Sequence, residues 1–227
     1  MKIVILAAGM GSRLDQNTPA PKALTQLANG QSILETQLQT LSLYLNLQDL
    51  IVAVGFHYEQ VIETFPDLLY SYNPDFRTQN TAKSLLRAAK KVKDDLLFLN
   101  GDLLFHPHAL KSLLNYKNNS VLTIPGTCDD EEVKYRTDSQ GFITEISKKT
   151  QGVGEAVGLN FIKKEDLPLF LFHLEQCAEN DYFEKAMEQS IQEGVKFQAI
   201  PIEKHQACEI DFPEDLQRAN KLVQEWT

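Results

Sequence analysis

The 227-residue sequence is poor in the residues that mark several specialised classes of protein. Its three cysteines (Cys128, Cys177 and Cys208) have no short spacing between them, which argues against a disulfide scaffold and against a zinc site. Glycine (11) and proline (9) occur at ordinary frequency, so nothing indicates a fibrous or disordered chain. The sequence lacks an apolar run of about 18 residues or more, and its N-terminus lacks the pattern of a signal peptide. We therefore expect a soluble, cytoplasmic protein with no membrane partner.

Positive charge is also in short supply. The sequence has 31 acidic and 22 basic residues, which gives a net charge of -9. A general nucleic-acid binder usually carries the opposite sign, so we expect no DNA or RNA partner. An acidic protein can still hold a small polyanion locally, through a few cations, backbone N–H groups or a divalent metal ion.

The first half of the chain alternates strand-like and helix-like segments, which predicts a parallel sheet covered on both faces. Strands are predicted at 2–7, 49–54, 68–72 and 95–102. Ser32 and Glu35 have capping-box spacing, and the helix that follows has apolar residues at helical spacing, namely Leu34, Leu38, Leu41 and Leu45.

Beyond residue 120 the alternation loosens, with further short strands, helices near 165–178 and 181–193, and a last helix from Pro213. Neither a linker nor a repeat interrupts the chain, and its 43% apolar content is enough for one core. We predict a single α/β domain over residues 1–227, Rossmann-like, with a mixed, mostly parallel sheet and helices on both faces.

The segment LAAGMGSRL, residues 6–14, follows the first strand and has the composition of an anion-binding loop. A P-loop requires Lys-Ser or Lys-Thr after its last glycine, and no such pair follows Gly11. A dinucleotide-binding loop requires a third glycine where Leu14 stands, and an acidic end to the second strand, which instead reads AVGF. A tight turn is the third interpretation of two glycines taken alone.

Together with Arg13 and the segment PKAL (21–24), this loop resembles the signature of nucleotidyltransferases that join a nucleoside triphosphate to a phosphorylated small molecule. These include the sugar-1-phosphate nucleotidylyltransferases and the compact cytidylyltransferases of the phosphocholine and aminoethylphosphonate type. Further segments match in the family's order: VAVGF, NPDFRTQNTAKSL, NGD, GEAVGLNFI, NDYFEKAM and EIDFPEDL. The resemblance implies the nucleotide-diphospho-sugar transferase (GT-A-like) fold. It also implies that residues 1–118 are the nucleotide-binding part of the domain and that 119–227 bind the acceptor and supply a second metal ligand. The chain lacks the longer C-terminal extension of many hexose-1-phosphate enzymes, which favours the cytidylyltransferase branch.

The resemblance implies that a phosphate or phosphonate oxygen attacks the α-phosphorus of the triphosphate and expels pyrophosphate. Arg13 and Lys22 are the implied catalytic residues, Arg13 on the departing phosphates and Lys22 on the α-phosphate or the acceptor phosphate. Asp102 and Asp211 are the implied ligands of Mg²⁺, the expected cofactor. The alternatives are solvated surface charges for the two cations, a turn residue for Asp102 and a helix N-cap for Asp211.

Twelve residues are implied to bind the nucleotide: Leu6, Ala7, Ala8, Gly9, Gly11, Ser12, Arg13, Gly55, Asn80, Thr81, Ser84 and Asp102. The pattern of Asn80 and Ser84 accompanies CTP in the cytidylyltransferase branch, so CTP is the expected nucleotide and UTP the alternative. Asn80 also suits the N-cap of the helix that follows it.

The implied acceptor-binding residues are Lys22, Glu155, Tyr182 and Glu184, because acidic and aromatic groups would hold the amine of a phosphocholine-like acceptor. Asp181 and Glu184 also have the spacing of a capping box. The acidic run at 129–132 either helps to hold a cation or forms a solvated loop. A sugar-phosphate transferase and a non-catalytic nucleotide-binding module are the competing interpretations. We expect a monomer or a homodimer.

Overall fold

The computed structural model describes residues 1–11, 13–14 and 20–226, and within them it has eleven strands and seven α-helices. The strands are β1 (Lys2–Ala7), β2 (Leu50–Val54), β3 (Leu69–Tyr72), β4 (Leu96–Asn100), β5 (Leu103–Phe105), β6 (Ser120–Pro125), β7 (Lys134–Thr137), β8 (Ile143–Ser147), β9 (Gly154–Ile162), β10 (Gln198–Pro201) and β11 (Ala207–Glu209). The helices are α1 (Ile33–Ser42), α2 (Tyr58–Thr64), α3 (Thr81–Ala89), α4 (Pro107–Asn115), α5 (Leu167–Gln176), α6 (Phe183–Gln192) and α7 (Pro213–Glu225).

The main sheet has nine strands, seven of which follow the order β10-β6-β9-β4-β1-β2-β3. Four neighbouring pairs along this order are parallel, whereas β9 runs antiparallel to both β4 and β6. The antiparallel pair β7 and β8 joins the sheet at β9, and β11 pairs with β5 in a separate two-stranded sheet. The predicted mixed, mostly parallel sheet is confirmed.

Side chains from alternate positions of the central strands enter two apolar clusters on opposite faces of the sheet. On β1, Val4 packs in the cluster covered by α3 and α5, whereas Ile3 and Ile5 pack in the cluster covered by α1 and α4. A smaller cluster holds α7 through Ala219 and Leu222. These layers leave the carboxyl ends of β1 and β4 open to a cavity.

Two predicted helix starts are confirmed, at Ser32 and at Pro213. The hydroxyl of Ser32 accepts from the N–H of Glu35 at 3.1 Å, and the Glu35 carboxylate accepts from the N–H of Ser32 at 3.4 Å. Among the described residues, none of the helices is both long and apolar enough to cross a membrane.

The capping box considered for Asp181 and Glu184 is wrong. Helix α6 has Tyr182 at its N-cap, and the Tyr182 side chain makes no cap hydrogen bond. The carboxylate of Asp181 instead accepts from the N–H of Ala178 at 2.8 Å, because the chain turns once more before the helix begins. Glu184 therefore has no capping role and lies in the first turn of α6.

Candidate active site

A cavity of about 360 Å³ lies at the carboxyl ends of β1 and β4, where open α/β sheets usually bind their ligands. Residues from both halves of the chain line it. The sequence-predicted residues among them are Leu6, Ala7, Gly9, Gly11, Arg13, Lys22, Asn80, Thr81, Asp102, Tyr182, Glu184 and Asp211.

The loop after β1 forms one wall of this cavity. Gly11 adopts φ = 61°, a left-handed conformation that favours glycine, and its carbonyl accepts from the N–H of Leu14 at 3.1 Å. A Cβ on Gly11 would come within 2.8 Å of the Cβ of Lys22, so the glycine also lets the loop lie against that lysine. Ser12, predicted to bind the nucleotide, lies outside the described residues.

Lys22 joins the two aspartates that were predicted as metal ligands. Its Nζ lies 2.6 Å from Oδ2 of Asp102 and 2.6 Å from Oδ1 of Asp211. The lysine side chain is only 12% exposed, and this burial by itself lowers its pKa. The two carboxylates outweigh burial, so the pKa of Lys22 is raised and the group stays charged. Burial by itself raises the pKa of Asp211, but the nearby charge of Lys22 outweighs burial, so the pKa of this carboxyl group is lowered.

The backbone brings these three residues together from distant parts of the chain. Asp102 lies in the turn between β4 and β5, and its carbonyl accepts from the N–H of Ile210 at 3.1 Å, one residue before Asp211. The N-cap interpretation of Asp211 is wrong, because Asp215 accepts from the N–H groups of Asp211 and Phe212 at 3.1 and 2.9 Å. The carboxylate of Asp211 is thereby directed to Lys22.

Asp102 and Asp211 are the residues that could hold a divalent cation. Across the described parts of the chain, no three His, Cys, Asp or Glu side chains form a metal-binding cluster. Mg²⁺ commonly takes one or two carboxylates and completes its octahedron with substrate phosphates and water. Because both carboxylates converge on one cationic group, the donor set fits a Mg²⁺ ion that is bound together with a nucleotide.

Arg13 supplies a second cation at the mouth of the cavity. Its guanidinium lies 3.9 Å from Asp211 and 3.6 Å from Glu131, and 5.4 Å above the ring of Phe212. The side chain is 48% exposed, so these surface contacts orient it without burying it. The arginine can therefore reach an anion that enters from solvent.

The start of α3 forms the opposite wall. The side-chain oxygen of Asn80 accepts from the N–H of Thr81 at 2.8 Å, so Asn80 caps the helix and lines the cavity at once. The hydroxyl of Thr81 accepts from the N–H of Phe183 at 3.1 Å and ties α3 to α6. Ser84 does not reach the cavity lining: it is buried, and its hydroxyl accepts from the side-chain amide of Asn73 at 3.0 Å.

Ala8 and Gly55 lie behind the cavity wall and are not part of its lining. The carbonyl of Ala8 accepts from the N–H of Phe56 at 3.1 Å. A Cβ on Gly55 would come within 2.6 Å of both the Ala8 oxygen and the Cβ of Phe76, whose ring lines the cavity. These two residues therefore set the position of the wall.

An acidic and aromatic pair stands at the α6 side of the cavity. Glu184 is 7% exposed, and its Oε2 has no hydrogen-bond partner among the described residues. Burial raises the pKa of Glu184 to about 7. The ammonium group of Lys148 lies 4.6 Å from the centroid of the neighbouring Tyr182 ring. The positive charge of the same Lys148 acts on Glu184 and partly offsets the effect of burial on its pKa.

Glu155 lines a neighbouring cavity of about 190 Å³ and not the main one. Successive residues of a strand face opposite ways, and it is Ala156 that lines the main cavity. Burial, with Glu132 close by, raises the pKa of Glu155 to about 7. Three residues of the acidic run, Asp129, Glu131 and Glu132, line this second cavity, and both cavities share Glu131, Glu209 and Asp211.

Several lining residues have no role in the sequence-based prediction. Glu209 accepts from the side-chain amide of Asn100 at 3.0 Å, and burial together with Asp102 raises its pKa. The signal available was the two-residue spacing, since Glu209 precedes Asp211 as Asn100 precedes Asp102. Lys148 follows β8, and no pattern of the sequence distinguishes it from other exposed lysines.

Comparison with known proteins agrees with this geometry. The family model of the MobA-like NTP transferase domain matches residues 3–154. The chain belongs to this family of nucleotidyltransferases.

The chain matches less than a third of the length of two of its relatives. It is 33% identical over 130 residues to the bifunctional protein GlmU of Methanococcus maripaludis, and 34% identical over 120 residues to the CMP-5'-(3-aminopropyl)phosphonate synthase of Streptomyces rubellomurinus. These matches cover 56% and 50% of the chain, and 30% and 19% of the two relatives. The UTP–glucose-1-phosphate uridylyltransferase AglF of Haloferax volcanii aligns over 100% of the chain and 98% of its own length, at 27% identity.

Solved structures share the fold. The CTP:phosphocholine cytidylyltransferase LicC of Streptococcus pneumoniae has a TM-score of 0.81 at 18% identity and covers 98% of each chain. The inositol-1-phosphate CTP transferase of T. maritima has a TM-score of 0.79 at 19% identity, covering 99% of this chain and 95% of its own. The predicted nucleotide-diphospho-sugar transferase fold is confirmed.

Proposed function

We propose that the chain transfers a cytidylyl group from CTP to a small amine-bearing phosphate or phosphonate, in a Mg²⁺-dependent reaction that releases pyrophosphate. The observation that carries the proposal is the position of Lys22, whose ammonium lies 2.6 Å from both Asp102 and Asp211 at one end of the cavity. A buried cation between two carboxylates suits a site that assembles a polyphosphate and a divalent cation.

In this reaction an acceptor oxygen forms a bond to the α-phosphorus, and the bond from that phosphorus to the bridging oxygen of the β-phosphate breaks. Both reactants are anions, so the site must neutralise charge and align them. Lys22 is placed to hold the α-phosphate against the acceptor, and Arg13 to hold the departing pyrophosphate. When bound at Asp102 and Asp211, Mg²⁺ supplies further charge neutralisation on the phosphates.

The nucleotide is proposed to lie between the loop after β1 and the start of α3. The backbone of Gly9 and Gly11 would meet the phosphates, and Asn80 and Thr81 the base. CTP is favoured because Asn80 belongs to the cytidylyltransferase pattern of the sequence and stands in the cavity. The CMP-5'-(3-aminopropyl)phosphonate synthase of Streptomyces rubellomurinus and the CTP:phosphocholine cytidylyltransferase LicC, both similar to this chain, are also named for cytidylyl chemistry.

The acceptor amine is proposed to lie at Glu184 and Tyr182. Glu184 is 7% exposed and its Oε2 has no hydrogen-bond partner in the described structure, which supports a role in accepting a hydrogen bond from a ligand. An ammonium group would supply a charge and hydrogen bonds, or, for a quaternary amine, charge and contact with the ring. We propose that residues 1–118 bind the nucleotide, and that 119–227 bind the acceptor and supply the second metal ligand. We propose that the protein is a monomer or a homodimer.

A sugar 1-phosphate is the second candidate acceptor. It is favoured by the alignment of the glucose-1-phosphate uridylyltransferase AglF over the whole chain. Sugar hydroxyl groups could also donate to Glu184, so the two acceptors differ mainly in charge.

The test mixes the purified protein with Mg²⁺, each nucleoside triphosphate in turn, and a panel of acceptors. The panel contains phosphocholine, phosphoethanolamine, 2-aminoethylphosphonate, glucose 1-phosphate and inositol 1-phosphate, and pyrophosphate release is measured. We expect release with CTP and an amine-bearing acceptor. Release only with the acceptors that lack an amine would reject the amine subsite, and no release with any pair would support a non-catalytic nucleotide-binding module.

A further inference from the structure

Helix α1 carries a polar residue where its pattern calls for an apolar one. Gln37 is 0% exposed and lies on the same buried face as Ile33, Leu34 and Leu41. Leu38, which the apolar spacing places on that face, is only partly buried. Burying an amide is costly unless it finds hydrogen-bond partners, so the contacts of Gln37 indicate what it does.

The side-chain amide of Gln37 holds both ends of one turn. Its Nε2 donates to the carbonyl of Asn100 at 2.9 Å and to the carbonyl of Leu103 at 2.7 Å. Both acceptors are carbonyl oxygens, so only the NH₂ end of the amide can face them. The Oε1 atom has no hydrogen-bond partner among the described residues. The hydrogen bonds that Gln37 contributes are therefore those donated by its NH₂ group.

The turn held in this way contains Gly101 and Asp102. From the other side, the N–H of Gly101 donates to the carbonyl of Leu6 at 2.9 Å, and a Cβ on Gly101 would come within 2.6 Å of that oxygen. The carbonyl of Asp102 accepts from the N–H of Ile210 at 3.1 Å. The turn is therefore enclosed by β1, α1 and the segment that leads to Asp211.

We propose that Gln37 is a positioning residue that fixes the Asp102 carboxylate in the geometry needed to share a divalent cation with Asp211. Gln37 does not line the cavity and acts through the two backbone carbonyls. The proposal rests on the proposed function, in which Asp102 is a metal ligand. Residues that support a ligand from behind are commonly worth a factor of 10 to 100 in metal affinity or activity.

The test compares Gln37→Met, which keeps the length of the side chain and removes both donors, with Leu41→Met on the same helix. Leu41→Met is the control, because it conserves side-chain volume at an apolar position on the same buried face of α1. Two quantities are measured: the Mg²⁺ concentration for half-maximal pyrophosphate release, and amide hydrogen exchange of residues 100–103 in the metal-free protein.

For Gln37→Met we expect the Mg²⁺ requirement to rise about 10-fold or more, while the nucleotide KM at saturating Mg²⁺ stays near that of the wild type. Exchange of the turn amides should be faster than in wild type and in Leu41→Met. A folded Gln37→Met variant with the wild-type Mg²⁺ requirement would overturn the proposal and leave the proposed function intact.

Two further outcomes are decided in the same experiment. If Gln37→Met does not fold, it is replaced by Gln37→Glu, which keeps the shape of the side chain and loses the NH₂ donors. If neither variant folds, the fold and not the site requires Gln37, and the proposal is overturned. If the wild-type protein releases no pyrophosphate, the proposed function fails, and hydrogen exchange alone then decides whether Gln37 fixes the turn. Unchanged exchange in that case would overturn the proposal.

Discussion

The ammonium group of Lys22 lies 2.6 Å from a carboxylate oxygen of Asp102, although 80 residues separate the two along the chain. The same nitrogen lies 2.6 Å from Asp211, a further 109 positions along (211 against 102). The lysine is thus a cation that the two carboxylates share. This relationship links the stability of the site to its proposed chemistry.

Lys22→Met should abolish turnover and increase the stabilisation of the folded protein by Mg²⁺. Removing one partner from a largely buried ion pair leaves uncompensated charge and costs about 3 to 5 kcal/mol of unfolding free energy. Mg²⁺ without nucleotide should then raise the unfolding midpoint of the variant more than that of the wild type, because the ion takes the place of the ammonium. Lys163→Met, which breaks a pair with Asp95 at 2.7 Å, is the matched control. Near-normal turnover in Lys22→Met would show that the lysine is only structural.

Glu184→Gln should stabilise the protein in alkaline solution. The pKa of Glu184 is raised from 4.5 to about 7, so folding favours its protonated form, and stability is lost as the pH rises from 4.5 to about 7. Glutamine resembles the protonated form, so its advantage should reach about 3 kcal/mol at most near pH 8 and vanish near pH 4.5. Denaturant unfolding at both pH values measures this difference. Glu188→Gln, which removes an i,i+3 pair with Lys185 on the same helix, should change little.

The same Glu184→Gln variant should bind an amine-bearing acceptor more weakly. The loss should appear in the acceptor KM above about pH 7, where the wild-type carboxylate is charged, and should diminish at lower pH. An equal KM for wild type and variant at about pH 8 would place the amine elsewhere.

Tyr182→Leu should raise the KM for an amine-bearing acceptor by about 2- to 30-fold, because a cation over an aromatic ring contributes about 0.5 to 2 kcal/mol. Tyr182→Phe keeps the ring and should have a smaller effect. The KM for CTP should stay the same in both variants. If Leu and Phe substitutions give the same acceptor KM, the ring is not part of the amine subsite.

Gly9→Ala should separate folding from nucleotide binding. A Cβ at Gly9 would meet no described heavy atom within 4 Å, so the unfolding midpoint should change little. In the proposed complex the backbone of Gly9 approaches the triphosphate, so the nucleotide KM should rise by about 10-fold or more. A wild-type KM for the folded variant would show that the phosphates lie away from this glycine.

The parts of the site that the sequence predicts are those attached to local signals. Lys22, Asp102 and Asp211 each stand in a short motif that carries the resemblance to nucleotidyltransferases (PKAL, NGD and EIDFPEDL), and the structure joins them through hydrogen bonds from the Lys22 ammonium. The parallel strands are also predicted from a local signal, because short apolar runs alternate along the sequence with segments whose apolar residues have helical spacing.

Other parts depend on three-dimensional information that local patterns do not carry. Strand β9 is apolar on both faces, so the sequence does not reveal that Glu155 and Ala156 face different cavities. The spacing of Asp181 and Glu184 fits a capping box, but the packing of α6 uses Glu184 inside the cavity. Gln37 is hidden for a similar reason: only the position of the 100–103 turn gives its amide a partner.

The measurement that tests the account most directly is pyrophosphate release by the wild-type protein with Mg²⁺, CTP and an amine-bearing phosphate or phosphonate, repeated with Asp102→Asn. The account predicts release that depends on all three components and falls by at least about 100-fold in the variant. The absence of release with any triphosphate and acceptor, or undiminished release by Asp102→Asn, would contradict it.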